Sequence, residues 1–291
     1  MNTMTTASTA TTATTATTVT TATTTTTAMK RDGVRAVPRT GRRTVVCASL
    51  LALLWFGPAG TVAAQNRSAE EVMREVDDQR GPDTARSRMT MRIYNSLDAG
   101  THDREIRLLS YSRGITDSLI EFVSPRSITG LRVLDLDGAI RVFFPSTGRV
   151  RNIGGAGRSG SVGGVGGDFS YEDMGGSGFM NDYEQFRMEE ESDTRWVISA
   201  VPRDADSQYS RLVFHVSRDT MVPVRIDYFE KGTQVKRLEA SRIQEIGGRN
   251  VATHLVMHNM KDNSRTEIRM HEVEWDVPLS DDLFHPNRFH R

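Results

Sequence analysis

Three groups of residues in this chain have types and spacings that could do chemistry. His254 and His258 in "HLVMH" stand four apart, the interval at which two imidazoles on one helix face share a zinc ion. Asp168, Glu172 and Asp173 in "DFSYEDM" place three carboxylates close together, an oxygen-rich set of the kind that holds calcium. Ahead of them runs a tract with glycines at 154, 155, 157, 160, 163, 164, 166 and 167, and glycine-rich loops cradle phosphates.

Each group weakens when its neighbours are read. The histidines sit in a run that reads as a strand, where positions four apart lie ~13 Å from each other, too far to share one metal. The carboxylates fit no established calcium-loop spacing. Phe169 and Tyr171 between them are expected to pin the stretch to the protein while the acids face water. No Lys-Ser or Lys-Thr pair and no helix follow the glycines, so the tract is expected to be a flexible loop over 154–167, with little side-chain surface to anchor it. "GRSGS" inside it lacks the strand-to-helix turn of a nucleophile elbow. The expectation is a binding protein without metal, cofactor or catalytic residues, not an enzyme.

Composition narrows the setting. Residues 1–28 are almost entirely Thr and Ala, a low-complexity tract outside any fold. From Met29 follow Arg39, Arg42 and Arg43, then the apolar run "VVCASLLALLWF", then "GPAGTVAAQ". That order is expected of a secretory signal over 29–64, with Val62 and Ala64 at a cut before Gln65. Cys47, the sole cysteine, lies inside it, which leaves residues 65–291 without thiol chemistry. Those residues carry 31 basic and 36 acidic side chains, a net charge of −5, a poor match to nucleic acid.

The elements follow from periodicity. Ser68 with Glu71 three residues on is a capping box, and Val72, Met73 and Val76 share one face of a short helix that Gly81-Pro82 ends. Afterwards the period becomes two, in eleven runs from "RMTMRIY" to "TEIRMHEVEW", separated by turn signals such as "DLDG", "EKGT" and "IGGRN". These predict a mainly β protein, a meandering antiparallel sheet that curls towards a barrel, with one helix as its cover. Met89, Met91, Met257 and Met270 lie on apolar strand faces, which suit either a flexible ligand or an ordinary core.

The segments "RVFFPSTGRVRNI", "GGDFSYEDM" and "VPVRIDYFEKGTQVKRLE" resemble the bacterial outer-membrane lipoprotein-sorting family, the LolA-like periplasmic carriers, in its longer branch. The resemblance covers most of residues 65–291 and implies one domain there, an unclosed antiparallel β-barrel with a helical lid whose concave face holds acyl chains. With that fold, the apolar cavity is expected to be lined by Met89, Met91, Ile93, Ile106, Leu108, Phe214, Ile226, Tyr228, Met257, Ile268 and Met270. The implied function is a periplasmic carrier or chaperone for lipid or lipoprotein acyl chains, with an inner-membrane transporter or outer-membrane acceptor as protein partners. An envelope sensor or interaction module of the same fold, and an accessory factor of a lipid-exporting transporter, are the alternatives.

Overall fold

The computed structural model describes residues 67–291 apart from Pro82. The Thr/Ala tract, the expected leader with Cys47, and its cut before Gln65 lie outside the described residues. Helix α1 (Ala69–Arg80) begins where the capping box predicts: the Ser68 hydroxyl accepts the Glu71 N–H at 3.2 Å and the Glu71 carboxylate accepts the Ser68 N–H at 2.8 Å. Its one apolar stripe, Val72, Met73 and Val76, is fully buried.

Thirteen strands follow. They are β1 (Thr84–Tyr94), β2 (Arg104–Arg113), β3 (Asp117–Ser124), β4 (Arg132–Leu136), β5 (Ala139–Phe144), β6 (Arg149–Ile153) and β7 (Tyr183–Glu191). Then come β8 (Arg195–Pro202), β9 (Arg211–Ser217), β10 (Pro223–Glu230), β11 (Thr233–Ile246), β12 (Arg249–Asn259) and β13 (Ser264–Trp275). All belong to one antiparallel sheet in the order β6-β5-β4-β3-β2-β1-β13-β12-β11-β10-β9-β8-β7. The tight turns are where the sequence signals them: Asp137-Gly138 and Lys231-Gly232 both adopt positive φ, the geometry that two-residue hairpins need.

The first and last strands pair at the centre, with Met91 opposite Ile268. The sheet therefore ends on β6 and β7, which are consecutive in the chain yet occupy opposite edges. These are also the two strands that add to the eleven periodic runs. An edge strand has no second neighbour and little face to bury, so its sequence turns polar, which protects it from pairing with other chains. β6 is exposed along almost its whole length, and β7 is acidic and twice bulged.

The concave face holds the main core, in which Met91, Ile106, Leu108, Phe122, Ile198, Phe214 and Met257 form one cluster with the apolar stripe of α1. A small second cluster forms on the convex side, where Phe284 and Phe289 of the carboxyl-terminal segment cover Leu119 and Leu134. A cluster of charged residues from β10 to β13 occupies the convex face, where Asp227 is buried between Arg225 and Arg237 and Glu267 lies near Arg265 and Arg269.

Candidate functional site

The 154–182 segment, which joins the two sheet edges, crosses the concave side as a strap. It contains a 3-10 turn at Gly155–Ser159 and the one-turn helices α2 (Tyr171–Met174) and α3 (Phe179–Asp182). Arg158 bonds Asp204 at 3.0 Å, which ties the strap to the β8–β9 connection. The expectation of a glycine tract without anchoring side chains is corrected here: Val162 and Val165 are each 1 % exposed, inside the main core. Valines that alternate with glycines leave little periodic signal, and only the concave face of the sheet supplies the apolar partner that buries them.

Gly167 makes the closest approach. At φ +84, its missing Cβ would lie 3.0 Å from the Thr266 hydroxyl and 3.2 Å from Ile93. Gly167→Ala is therefore expected to destabilise the protein by about 1–3 kcal/mol. Gly154→Ala, at an open site, is expected to stay within about 0.5 kcal/mol of wild type, as urea unfolding of both variants will measure.

The "DFSYEDM" stretch is buried more deeply than its acidity predicts. Phe169 and Tyr171 are buried as expected, but Asp168 and Asp173 do not face water. Thr266 donates to Asp168 at 2.7 Å, and the Ser264 hydroxyl donates to its other oxygen. Asp173 accepts from Lys236 Nζ at 2.7 Å, from the Tyr209 hydroxyl at 2.7 Å, and from both the N–H and the hydroxyl of Ser170 at 2.8 Å. Glu172 turns to Ser207 and Gln208. The three carboxylates thus hold three different parts of the sheet and loops instead of converging on one ion. A buried carboxylate needs such partners, and nothing local in the sequence announces that Lys236, 63 residues on, supplies one.

Past α2 the strap turns through Gly175–Gly178, gripped by two acids. Asp135 accepts the Gly138 and Gly176 N–H groups at 2.8 Å, and Asp182 accepts that of Ser177 at 2.9 Å. Asp77 of α1 accepts from Met180 at 2.8 Å, so helix and strap are joined. Between this loop and the ends of β8 to β11 lies a cavity of about 430 Å³, lined by Phe179, Tyr183, Leu212, Ile226, Tyr228 and Leu238 among others. Phe179 and Tyr183 both set their rings against Phe214, at 4.9 and 5.8 Å between centroids, and the Arg80 guanidinium covers Phe179 at 4.2 Å. Burial pushes the phenols of Tyr183, Tyr209 and Tyr228 upwards, with nearby carboxylates adding to it, so all three remain donors.

Burial also pushes Asp182 up to about 6, against the Ser177 N–H that favours its charged form. Because the folded state holds this proton more tightly than the unfolded chain, the group weakens folding as pH rises from about 4 through about 6. Asp182→Asn keeps an acceptor for Ser177 and removes the titration. Its stability relative to wild type should therefore improve between pH 4 and pH 7, by on the order of 2 kcal/mol before solvent screening is discounted, as paired urea melts will measure.

Of the eleven residues expected to line an apolar concavity, ten meet on this side of the sheet: nine are buried in the core and Met89 packs against it half-buried. Only Ile226 and Tyr228 of these reach the 430 Å³ cavity. Met270 stands apart. It pairs with Met89 beside a bulge that skips His271, is half-buried, and lines a shallow groove with Arg242 and His254, outside the core cluster. His254 and His258 lie on β12 as a strand predicts, near Glu267 and Glu239 respectively. The cavity residues that the periodicity misses are Phe179 and Tyr183, at the end of the strap, and Leu212 and Leu238, which alternate correctly but gave no sign of an unfilled space.

Residues 114–291, more than half of the chain, match the model of a family whose description reads "Uncharacterized protein". The chain belongs to that family. No curated protein matches it. Among solved structures the family member described here is similar to a Vibrio parahaemolyticus domain named for outer-membrane lipoprotein sorting, at TM-score 0.69 and 19 % identity, over 77 % of this chain and 98 % of that one. A DUF1329 family protein from Desulfovibrio piger gives 0.67 and 24 %, over 75 % and 96 %. A LolA superfamily protein from Nitrosomonas europaea gives 0.63 and 19 %, over 76 % and 99 %. The fold is LolA-like, an open antiparallel sheet shared with these structures.

Proposed function

We propose that this chain is a carrier or chaperone of the bacterial envelope that binds lipid or the acyl chains of a lipoprotein. The observation that carries the reading is the 430 Å³ cavity where the strap meets the apolar concave face of a sheet that does not close. Its size falls in the range of small-molecule sites, and Leu212, Ile226, Leu238 and Phe179 give it an apolar wall continuous with the core. Burial of acyl surface there contributes about 25 cal/mol per Å² and requires no covalent step. A longer chain is accommodated by displacing the strap, whose two ends are fixed to β6 and β7. The leader expected over 29–64 directs the domain to the periplasm, and an inner-membrane transporter or outer-membrane acceptor would load and unload it.

Titration with a fluorescent acyl probe tests the reading. The protein should bind the probe saturably, and Leu238→Asp, at a half-buried wall position, should weaken binding about tenfold or more while the protein stays folded. Native mass spectrometry of protein purified from its own envelope should show a co-purifying lipid. A stoichiometric protein with no lipid would instead favour an interaction module of the same fold.

A further inference from the structure

The sheet is charged unevenly from one half to the other. Residues 104–153, which form β2 to β6, carry eight arginines against five acids, a net charge of +3 inside a domain of net −5 over 65–291. Four of those acids are committed: Glu105 bonds Arg92 at 2.9 Å, Asp117 bonds Arg113 at 2.8 Å, Glu121 bonds Arg132 at 3.0 Å, and buried Asp135 accepts the Gly138 and Gly176 N–H groups. The fifth, Asp137, stands in the β4–β5 turn, at the far end of those strands from the arginines that follow.

Four arginines gather where β3 and β5 end. Arg107 is the ladder partner of Ser124, and Ser124 opens the β3–β4 loop that carries Arg126. A Cβ on Gly130 of that loop would lie 3.6 Å from Pro145 in the β5–β6 turn, and Arg149 leaves the turn paired with Phe144. Arg151 follows on the outermost strand, its guanidinium 5.2 Å over the Phe144 ring. All four are exposed, and none has an acidic partner among the described residues. Asp98 and Asp103 stand in the β1–β2 loop, nearer the centre of the sheet, where Asp103 accepts the Asn95 N–H at 2.7 Å. Val123 and Val150 lie among the arginines and are two of the three large hydrophobic side chains exposed among the described residues.

The chemistry of this end decides what it meets. Protein interfaces centre on aromatic anchors in desolvated pockets, and the aromatic ring here, Phe144, is half-buried beneath Arg151 and against Gly163. An anionic bilayer needs only cations close to its phosphates and shallow apolar contacts, with each arginine adding its own attraction. The acidic remainder of the domain is repelled by the same surface, which turns the basic end towards it.

We propose that this end of the sheet, Arg107, Arg126, Arg149 and Arg151 with Val123 and Val150, is a docking face for an anionic lipid bilayer. The strap begins at the same end: Gly163 lies against Phe144, and Arg104 donates to the Val165 carbonyl at 2.7 Å, so docking sets the strap beside the bilayer. The inference concerns the outer surface and does not rest on the carrier reading.

Co-sedimentation of the purified protein with phosphatidylcholine vesicles, and with mixed vesicles that also contain phosphatidylglycerol, tests it. Binding to the mixed vesicles should be about tenfold or more tighter, and should weaken as salt is raised. The triple variant Arg126→Gln, Arg149→Gln, Arg151→Gln should lose that preference about tenfold. Arg187→Gln, Arg211→Gln, Arg242→Gln removes three cations equally without acidic partners from β7, β9 and β11, and should keep the preference within about twofold. Equal losses in the two variants would assign the effect to net charge and overturn the docking face, as would equal binding to both vesicles or binding to neither. Capture of polyglutamate in place of the mixed vesicles, lost in the first variant, would give the arginines to an acidic protein segment and overturn it too. The lipid and salt comparison on the wild-type protein decides even where a variant does not fold. Its failure leaves carriage in the cavity standing, since the acyl-probe titration reads that separately.

Discussion

Lys236→Ala should destabilise the protein by about 3–5 kcal/mol, the range for removing one partner of a buried ion pair. Lys236 Nζ lies 2.7 Å from Asp173, and the two side chains are 9 % and 1 % exposed, so the carboxylate left behind would be charged, dehydrated and without the cation that pairs with it among the described residues. Tyr209 and Ser170 still donate to it, which places the expected loss towards the lower end. The double variant Lys236→Met with Asp173→Asn should recover most of the stability, since no charge is then stranded and the Asn carboxamide still bonds Tyr209 and Ser170. Urea unfolding of the single and double variants measures both values. A single-variant loss under about 1 kcal/mol would mean that the strap is not fastened to β11 through this pair. The same variant should also loosen the strap, read as faster hydrogen exchange over residues 168–182 than in the strands beneath them.

Phe214→Ala should cost about 3–5 kcal/mol. The ring is fully buried at the centre of β9, and it is where the strap and an edge strand meet the core: Phe179 of α3 and Tyr183 of β7 both pack their rings on it. Truncation leaves a cavity that those two rings cannot collapse into, because Phe179 is held under Arg80 and Tyr183 is fixed by the pairing of β7 with β8. Phe214→Leu retains most of the volume and should cost less than half as much. Thermal and urea unfolding of both variants separate these outcomes. Equal losses would show that the aromatic geometry matters more than the filled space.

Much of this protein is set by local sequence. The capping box at Ser68 and the Val72, Met73, Val76 stripe fix α1; alternation of varying clarity marks eleven strands; Asp-Gly and Lys-Gly pairs with positive φ fix hairpins. Antiparallel meander and concave apolar face follow, because period-two burial leaves each strand a single face to hide. What the tertiary structure decides is everything that depends on residues far apart in the chain. Pairing of β1 with β13 makes β6 and β7 the edges, and an edge strand lacks the burial that would write alternation into its sequence, so Arg149–Ile153 and Tyr183–Glu191 leave no such signal. The acids of "DFSYEDM" read as solvated because their partners, Lys236, Ser264 and Thr266, lie on β11 and β13. The cavity is the least legible feature of all, since an unfilled space is a property of how the strap fits the sheet, and residues such as Leu212 and Leu238 look the same in sequence whether a neighbour or a ligand covers them.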